Sequence, residues 1–309
     1  MRYEHALVTG GAGFIGSHLV ERLLREGMQV TVLDNLSVGT RENVPAEATF
    51  MLGDVRDPDI VAAAVSGADV VFHMAARVSI RASVAGFWKD AETNLIGTLN
   101  ILRACSSRNA KKLVYASSMA VYADVADPVP LPESHDTAPI SPYGIAKLAS
   151  ERYAMVVAAQ SGFDAVALRY FNTYGPRQTF TPYVGVITIF IQRLLQGKPP
   201  IIFGDGEQCR DFVYVGDIVE ATLRAMSNDV GGETINVGSG EGTSVNQIAT
   251  LLCGRLRPDL SPQYAPAHPG ELRNSIADIS KARRLLGYEP QARLEDKIDE
   301  VIAWKRGTI

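Results

Sequence analysis

The stretch VTGGAGFIGSH, Val8 to His18, follows a short apolar segment and precedes residues with helical spacing. Gly11, Gly13 and Gly16 have the G-x-G-x-x-G spacing of a dinucleotide-binding turn. Glycines at these positions allow a tight turn and let the backbone approach a pyrophosphate, and the helix that follows offers free N–H groups. We therefore predict a strand, a phosphate-binding loop and a helix over this stretch.

The next strand supports the same interpretation. Gln29–Leu33 is apolar, and it ends at Asp34, 18 residues after Gly16. A carboxylate near that spacing accepts hydrogen bonds from the ribose hydroxyls and repels a 2′-phosphate, so it favours NAD over NADP. The alternative is a glycine-rich turn followed by a capping aspartate.

Strand-like and helix-like segments alternate over the first half of the chain. The predicted strands are His5–Thr9, Gln29–Leu33, Thr49–Leu52, Asp69–Met74, Lys112–Ala116 and Ala165–Tyr170, and the helices are Phe14–Glu26, Pro58–Ser66, Phe87–Ser106 and Pro142–Ala159. Apolar strands separated by helices indicate a parallel sheet covered on both faces. The predicted fold class is therefore α/β, a doubly wound parallel (Rossmann) sheet with a smaller mixed C-terminal lobe.

The pattern changes after Tyr170, where Asn172–Gly185 is predicted to be a loop and helices are predicted at Val186–Gln196, Ile218–Met226 and Val245–Leu256. We predict an NAD-binding domain over residues 1–170, to which 211–240 return, and a substrate lobe over 171–210 and 241–309.

Composition narrows the possible partners. The 309 residues carry a net charge of −4 and no basic block, which argues against nucleic acid. Cys105, Cys209 and Cys253 form no Cys-x-x-Cys pair, so we expect no metal and read them as the reduced thiols of a cytoplasmic protein. No signal peptide and no apolar run of about 18 residues is recognisable, so we expect no membrane association.

A tyrosine and a lysine four residues apart, Tyr143 and Lys147, occur in SPYGIAKLASE. They share one helix face, and a nearby cation lowers the pKa of a tyrosine. The motif YASSMAVY lies at the end of the predicted strand Lys112–Ala116 and contains Ser118. Ser118 precedes Tyr143 by 25 residues, so the next helix can bring Tyr143 back beside it. Taken alone, Tyr143 could equally be a packed aromatic and Ser118 a serine that caps backbone.

Together the motifs resemble the extended short-chain dehydrogenase/reductase family, in its branch of UDP-sugar (UDP-glucose and UDP-galactose) 4-epimerases. The resemblance rests on TGGAGFIGSH (with its Gly10-x-x-Gly13-x-x-Gly16 variant), VLDNLSVG, NLIGTLN, YASSMAVY, SPYGIAK, LRYFNTYGPRQ, FGDGEQCRDFVYVGD and ADISKARRLLGYEP. It implies an NAD-dependent isomerase with a nucleotide-sugar substrate, usually a homodimer formed through the helices near 87–106 and 142–159.

The resemblance also implies which residues hold NAD. They are Gly10, Gly13, Phe14, Ile15, Gly16, Asp34, Asn35, Ser37, Gly39, Asp54, Val55, Ala75, Ala76, Asn94, Tyr143, Lys147 and Tyr170. Asp54 and Val55 would meet the adenine, and Lys147 the nicotinamide ribose. For Asn94, the role of a buried helix asparagine stays open.

The implied catalytic residues are Ser118, Tyr143 and Lys147. Tyr143, as a phenolate assisted by Ser118, would take the proton of the sugar 4-hydroxyl while carbon 4 gives a hydride to NAD. The 4-keto sugar would rotate before hydride and proton return to the other face. Met119 and Ala120 replace the acidic residues with which related enzymes dehydrate or decarboxylate the sugar, which favours simple epimerisation.

The implied substrate-binding residues are Arg81, Ser118, Asn172, Thr179, Val186, Phe203, Arg210, Arg273 and Ser275. Arg210 resembles a phosphate-binding arginine, since a guanidinium suits bidentate phosphate recognition. The alternative for Arg210 is an ion pair with Asp211 or Asp217.

Several positions depart from the family pattern. His268 stands where a second phosphate-binding arginine is usual, and Arg273 is a candidate to replace it. Ser275 stands where a bulky tyrosine restricts the pocket to glucose and galactose, so UDP-N-acetylglucosamine would also fit. A UDP-glucuronate epimerase would need a cation near the sugar C6, for which Arg81 is a candidate, although it also reads as a surface arginine. A non-catalytic regulator and a nucleotide-sugar reductase remain the other classes.

Overall fold

A computed structural model describes residues 3–179, 185–267 and 272–308 of the chain. Its strands are β1 His5–Thr9, β2 Gln29–Asp34, β3 Thr49–Leu52, β4 Val70–His73, β5 Lys112–Ser118, β6 Pro130–Leu131, β7 Asp164–Tyr170, β8 Asn172–Tyr174, β9 Ile201–Phe203, β10 Cys209–Tyr214, β11 Thr234–Val237, β12 Gly242–Ser244, β13 Gln263–Ala265 and β14 Asn274–Ala277.

Helices connect these strands. They are α1 Phe14–Arg25, α2 Pro58–Val65, α3 Ile80–Ala85, α4 Phe87–Ala91, α5 Gly97–Arg108, α6 Pro142–Ser161, α7 Val186–Leu195, α8 Val215–Ser227, α9 Val245–Leu256, α10 Ser280–Leu286 and α11 Leu294–Arg306. Within the described ranges, no helix is long and apolar enough to cross a membrane.

The main sheet has seven parallel strands in the order β11-β7-β5-β4-β1-β2-β3. The predicted α/β doubly wound sheet is therefore confirmed. Its central strands are buried along their whole length, because helices cover both faces of the sheet. The strand order reverses between β1 and β4, and a crevice at the carboxyl ends of these two strands is where such sheets bind ligands.

Two local predictions are wrong. The long helix predicted at Phe87–Ser106 is interrupted by a π-helical segment, Glu92–Ile96. The loop predicted at Asn172–Gly185 begins with β8, which pairs in parallel with β10. Pairing with a strand about 40 residues away leaves no local pattern in the sequence, so periodicity could not reveal it. The proposed division into two units at residue 170 stays a prediction.

A second sheet lies around β10, which pairs with β8, β12 and β14, while β6 extends it beyond β14. Helices α7, α9 and α11 pack on its apolar side chains and form a separate hydrophobic cluster with them. Because β8 directly follows β7 and pairs with β10, the second sheet begins at the carboxyl end of β7.

A buried ion pair connects α6 to the main sheet. Glu151 receives two hydrogen bonds from the Arg169 guanidinium, at 2.6 and 3.1 Å, and one from the Ser117 hydroxyl at 2.9 Å. The Arg169 guanidinium also lies 4.7 Å from the centre of the Tyr122 ring. Because neither charge of the pair reaches solvent, each depends on the other for compensation.

We expect Glu151→Gln to lower the free energy of unfolding by about 3–5 kcal/mol, because it leaves the Arg169 charge buried without its partner. Urea unfolding of the cofactor-free protein measures this value. Glu289→Gln is the matched control: Glu289 pairs with Arg283 at 2.8 Å on the surface, where loss of a pair costs about 0–1 kcal/mol. Equal losses in the two variants would contradict the prediction.

Candidate active site

The glycine loop after β1 is shaped by close contacts between backbone atoms. Gly10 has φ +71°, and a Cβ there would lie 2.7 Å from the Ala75 nitrogen. A Cβ on Gly16 would overlap the Gly10 carbonyl. Gly13 begins α1 without a side-chain cap, so the first N–H groups of this helix are not satisfied by a capping side chain. Such a cradle of backbone N–H groups fits the pyrophosphate of a dinucleotide.

Asp34 lies at the carboxyl end of β2, buried against this loop. Its carboxylate accepts the Ala12 N–H at 3.0 Å and the Leu36 N–H at 2.8 Å. Leu36 has φ +56°, an uncommon conformation for a side chain without a local polar group. Gly39 then passes so close to Ala12 that a Cβ on Gly39 would overlap the Ala12 carbonyl. The loop after β2 is therefore folded onto the glycine loop.

Other predicted cofactor residues line the same edge of the sheet. Asn35 donates to Asp54 at 2.8 Å, and Arg56 holds the same carboxylate, so that the pKa of Asp54 falls to about 2. Val55 is buried, whereas Ser37 is exposed and donates its N–H to the Asn35 side chain. The adenosine residues that the resemblance implies are thus neighbours in space.

A directed chain of hydrogen bonds, which the sequence did not reveal, runs under the cofactor cleft. The Ala75 N–H donates to Thr9 Oγ1 (3.2 Å), which bonds His73 Nδ1 (2.8 Å), and His73 Nε2 bonds Thr98 Oγ1 (3.1 Å). Thr98 donates in turn to the Asn94 carbonyl (2.7 Å). Burial lowers the pKa of His73 to about 3, so the imidazole is neutral, as this chain requires.

The three predicted catalytic residues lie together at the carboxyl end of β5. Ser118 ends the strand, and its Oγ accepts the Ala120 N–H at 3.2 Å. Ser141 caps α6 through the Gly144 N–H, so the helix begins with its first turn beside the strand. Tyr143 and Lys147 are buried one turn apart on α6, and the Ser118 side chain is close enough to act on the pKa of Tyr143.

The expected lowering of the Tyr143 pKa by Lys147 is not seen. Burial raises the pKa of Tyr143 to about 12, although the Ser118 hydrogen bond acts in the opposite direction. Burial also lowers the pKa of Lys147 to about 8. Lys147 Nζ donates to the Ala116 carbonyl at 2.8 Å and lies 5.9 Å from the centre of the Tyr143 ring. Desolvation therefore outweighs the cation in the protein without cofactor.

Three of the predicted substrate residues, Asn172, Arg210 and Ser275, lie on strands of the second sheet. Asn172 donates to the hydroxyl of the fully buried Ser275 at 3.2 Å. Arg81 on α3 lies over the Phe203 ring, 5.7 Å from its centre. Val186 begins α7, and Thr179 is exposed. Tyr170, the last residue of β7, and Phe171 after it are both buried. Gly204 follows Phe203 at the end of β9. His268 lies outside the described residues.

The two predicted phosphate-binding arginines have other partners here. Arg210 donates to the carbonyls of Leu272 and Arg273, the latter at 2.8 Å. These bonds go to backbone carbonyls, and they do not support the alternative in which Arg210 forms an ion pair with Asp211 or Asp217. Asp211 accepts N–H groups from Ser239, Gly240 and Ala277, and Asp217 accepts those of Gln291 and Ala292. Arg273 forms a bidentate ion pair with Asp205, at 2.9 and 3.0 Å.

A glycine cradle, the buried carboxylate of Asp34 and a buried Ser–Tyr–Lys group thus share one edge of a doubly wound sheet. The sequence profile of the NAD dependent epimerase/dehydratase family matches residues 6–238, about three quarters of the chain. The chain belongs to this family. The resemblance drawn from the motifs and NAD as the cofactor are thereby confirmed.

Solved structures of several UDP-sugar 4-epimerases are similar to this chain over nearly its whole length. UDP-glucose 4-epimerase of Thermotoga maritima with UDP-glucose has a TM-score of 0.95 at 41% identity, covering 98% of this chain and 99% of that one. The Thermus thermophilus enzyme with NAD has a TM-score of 0.91 at 38% identity, covering 99% and 100%. UDP-N-acetylglucosamine 4-epimerase of Methanobrevibacter ruminantium, in complex with UDP-N-acetylmuramic acid, has a TM-score of 0.94 at 36% identity, covering 100% of both chains.

The two positions after Ser118 are apolar in this member of the epimerase/dehydratase family. Met119 and Ala120 form a 3-10 turn with Val121, and Ala120 is buried against the first turn of α6, where a Cβ on Gly144 would overlap its carbonyl. Ala123 follows this turn and donates its N–H to the Asp136 carbonyl. Neither Met119 nor Ala120 can transfer a proton, so any acid–base chemistry at this site depends on Ser118, Tyr143 and Lys147.

We expect Gly39→Ala to weaken NAD binding at least about tenfold, since its Cβ would push the loop after β2 away from Ala12. Calorimetric titration of the stripped protein with NAD measures this loss. Gly254→Ala is the control, because a Cβ at Gly254 on α9 meets no atom within 4 Å. If both variants bind NAD as the parent protein does, the proposed contact between the two loops is not needed for the cofactor.

Proposed function

We propose that this chain is an NAD-dependent UDP-sugar 4-epimerase that interconverts UDP-glucose and UDP-galactose. The observation that carries the proposal is the placement of Ser118 at the end of β5, close enough to Tyr143 to lower the pKa of its phenol, with Lys147 on the same helix face, at the edge that holds the glycine cradle. Family membership and similarity to epimerases over nearly the whole chain support it. A non-catalytic regulator would not need this buried polar group.

The protein residues carry the proton chemistry. Ser118 orients the sugar 4-hydroxyl towards the Tyr143 oxygen, which accepts its proton as oxidation at carbon 4 begins. Tyr143 returns the proton to the other face after the 4-keto sugar has turned. NAD, when bound, accepts the hydride from carbon 4 and gives it back, so the cofactor is regenerated in every turnover.

A tyrosine with a pKa of about 12 is a poor base at neutral pH, so its ionisation has to be assisted. Lys147 is the cation of the protein beside Tyr143, and the oxidised nicotinamide adds a second positive charge when it is bound. We infer that the site becomes basic on cofactor binding, because both positive charges favour the phenolate. The residues implied as cofactor contacts by the resemblance are proposed to hold NAD in the places described above.

The second sheet is proposed to bind the UDP group. Asn172 begins β8 and donates to Ser275 on β14, Phe203 ends β9, and Arg210 holds the segment that leads into β14. Because the Arg210 guanidinium donates to two carbonyls of the segment leading into that strand, we propose that it positions this strand as well as meeting a phosphate. Arg273 would have to leave Asp205 before it could replace the missing phosphate contact at His268.

Which UDP-sugar is preferred depends on the wall formed by Asn172 and Ser275. Ser275 is fully buried behind Asn172, so the space beside C2 of the sugar is determined by this pair and not by a bulky side chain. We propose that this leaves room for an N-acetyl group, which makes UDP-N-acetylglucosamine the second candidate substrate. Arg81, the candidate cation for a carboxylate at the sugar C6, lies over the Phe203 ring. We therefore keep UDP-glucuronate as the third candidate substrate.

We also propose a homodimer formed through the helices near 87–106 and 142–159. Large apolar side chains are exposed on both, which we call the helix patch: Phe87, Trp88, Ile96, Ile145, Tyr153 and Val156. Exposed apolar side chains that form such a set on two adjacent helices are typical of an interaction surface. A second copy of the chain would cover the helix patch with the same side chains, as a two-fold axis requires.

The purified protein is expected to carry NAD and to interconvert UDP-glucose and UDP-galactose without added cofactor. Tyr143→Phe should lower kcat by a factor of about 10²–10⁴ while NAD stays bound, because the proton acceptor is lost. A coupled assay for UDP-glucose measures the rate. Tyr153→Phe is the control, since Tyr153 is exposed on the same helix.

Substantial turnover by Tyr143→Phe would contradict the proposed role of Tyr143. A panel of UDP-sugars, assayed with the parent protein, tests the substrate separately. Turnover of UDP-N-acetylglucosamine alone would retain the reaction and replace the sugar, whereas no epimerisation of any UDP-sugar would overturn the proposed function.

The helix patch generates a further prediction. Val156→Glu, combined with Ile145→Glu, should shift the protein from dimer to monomer in sedimentation equilibrium, because each copy would bury two charges in an apolar contact. Leu52→Glu is the matched control, since Leu52 is also exposed and apolar but lies on β3. A parent protein that sediments as a monomer would rule out the proposed dimer.

A further inference from the structure

Asp90 is a buried acid beside the active site that the proposed reaction does not use. It ends the exposed helix α4, yet only 1% of its surface is accessible. Its Oδ1 accepts the Asn94 side-chain N–H at 3.0 Å. Its Oδ2 is buried and has no hydrogen-bond partner in the part of the chain that the structure describes. A buried carboxylate oxygen without a partner is costly, so the residue calls for an explanation.

The first clue is what Oδ1 does to Asn94. The Asn94 side chain accepts the Arg77 N–H and donates to the Arg77 carbonyl, both at 2.9 Å, so Asp90 receives its remaining amide hydrogen. Arg77 directly follows Ala75 and Ala76, which line the proposed cofactor cleft. The Asn94 carbonyl also accepts the Ser150 hydroxyl at 2.8 Å, from the helix that carries Tyr143. Asp90 therefore fixes the orientation of a residue that ties this loop to α6.

The second clue is the charge around Asp90. Burial raises the pKa of Asp90, while the Asn94 amide and the cations Lys147 and Arg77 lower it. Conversely, the carboxylate of Asp90 raises the pKa of Lys147 and that of Tyr143. Burial lowers the pKa of Lys147, and the Asp90 carboxylate partly offsets this lowering.

Several of the other charged and titratable groups on the packed elements either pair with a residue elsewhere or are kept neutral by burial. Glu92, two residues later, is 3.7 Å from Arg56, and Arg81 on α3 lies over Phe203. On the remaining elements, His73 is neutral and Glu151 is paired with Arg169. The centre of the Tyr115 ring lies 5.0 Å from Lys147 Nζ, and burial raises the pKa of Tyr115. Asp90 is thus the carboxylate that acts on Lys147.

We propose that Asp90 is a positioning residue of the active site, which orients Asn94 through Oδ1 and keeps Lys147 protonated through the negative charge on Oδ2. This inference rests on the proposed epimerase function. It assigns to α4 a part in the chemistry, although no atom of α4 needs to touch the sugar or the cofactor.

The charge of Asp90 has a definite effect on the pH profile of kcat. Without it, Lys147 loses its proton at lower pH, and the alkaline limb moves down. The Tyr143 phenolate, no longer opposed by a neighbouring negative charge, forms at lower pH, and the acid limb also moves down. A residue with only a structural role would lower kcat or stability at every pH and leave both limbs in place.

Asp90→Asn, which keeps an acceptor for Asn94, is therefore compared with the parent protein over the full pH range. We expect both limbs of the kcat profile to move to lower pH by about one unit, with little change in KM. Glu92→Gln removes one negative charge from the same segment and is expected to leave both limbs unmoved. Limbs of Asp90→Asn that coincide with those of the parent protein would overturn the proposal.

A second measurement needs neither turnover nor a folded Asp90→Asn variant. In the NAD-loaded protein, Lys147→Met removes the cation that holds the Asp90 charge, so Asp90 should take up a proton at neutral pH. Infrared difference spectroscopy against the parent protein should then show an added carboxylic-acid C=O band. Identical spectra in that region would overturn the proposal. If the band appears in Lys147→Met but the parent protein epimerises no UDP-sugar, the contact between Asp90 and Lys147 is retained and only the proposed function is rejected.

Discussion

The close approach of backbone to backbone at the glycine loop is the constraint on which the site depends. Gly10 lies against Ala75, Gly16 against Gly10, and Gly39 against Ala12, at separations that admit no side chain. These contacts direct the N-terminus of α1 into the crevice where the strand order reverses, and they draw the loops after β2 and β4 around it. Asp34 accepts the Ala12 N–H and Thr9 accepts the Ala75 N–H, and these two hydrogen bonds hold both loops in place.

Burial is the second condition, and it acts against the chemistry that the site performs. Burial keeps Tyr143 uncharged at neutral pH by raising its pKa to about 12, and it lowers the pKa of Lys147 to about 8, so that the charge of Lys147 depends on its surroundings. The cofactor-free protein is therefore arranged for an ionisation that it does not itself complete. Positive charge brought by the cofactor and negative charge held nearby by Asp90 act on the same two groups, so cofactor retention and proton transfer are physically coupled.

Much of this arrangement could be predicted from the sequence because it depends on local patterns. The glycine spacing, the apolar strands, Asp34 at a strand end and the Tyr143–Lys147 interval are each readable within a few residues. The doubly wound parallel sheet and the approach of Ser118 to Tyr143 then followed from the rules of such sheets. The π-helical interruption at Glu92–Ile96 was missed, since it depends on hydroxyl groups from α5 and α6 that compete for the Asn94 carbonyl.

The sequence by itself determined the sheet, the nucleotide loop and the candidates for proton transfer, because short-range patterns specify each of them. Only the tertiary structure decided the charge states and the substrate wall. The pKa of Tyr143 lies above its ordinary value because desolvation depends on everything that packs around it. Likewise, Arg210 turns to backbone carbonyls, Ser275 lies behind Asn172, and Asp90 sits beside Lys147 through contacts between residues distant in the chain. Such pairings are set by packing, which no local pattern encodes.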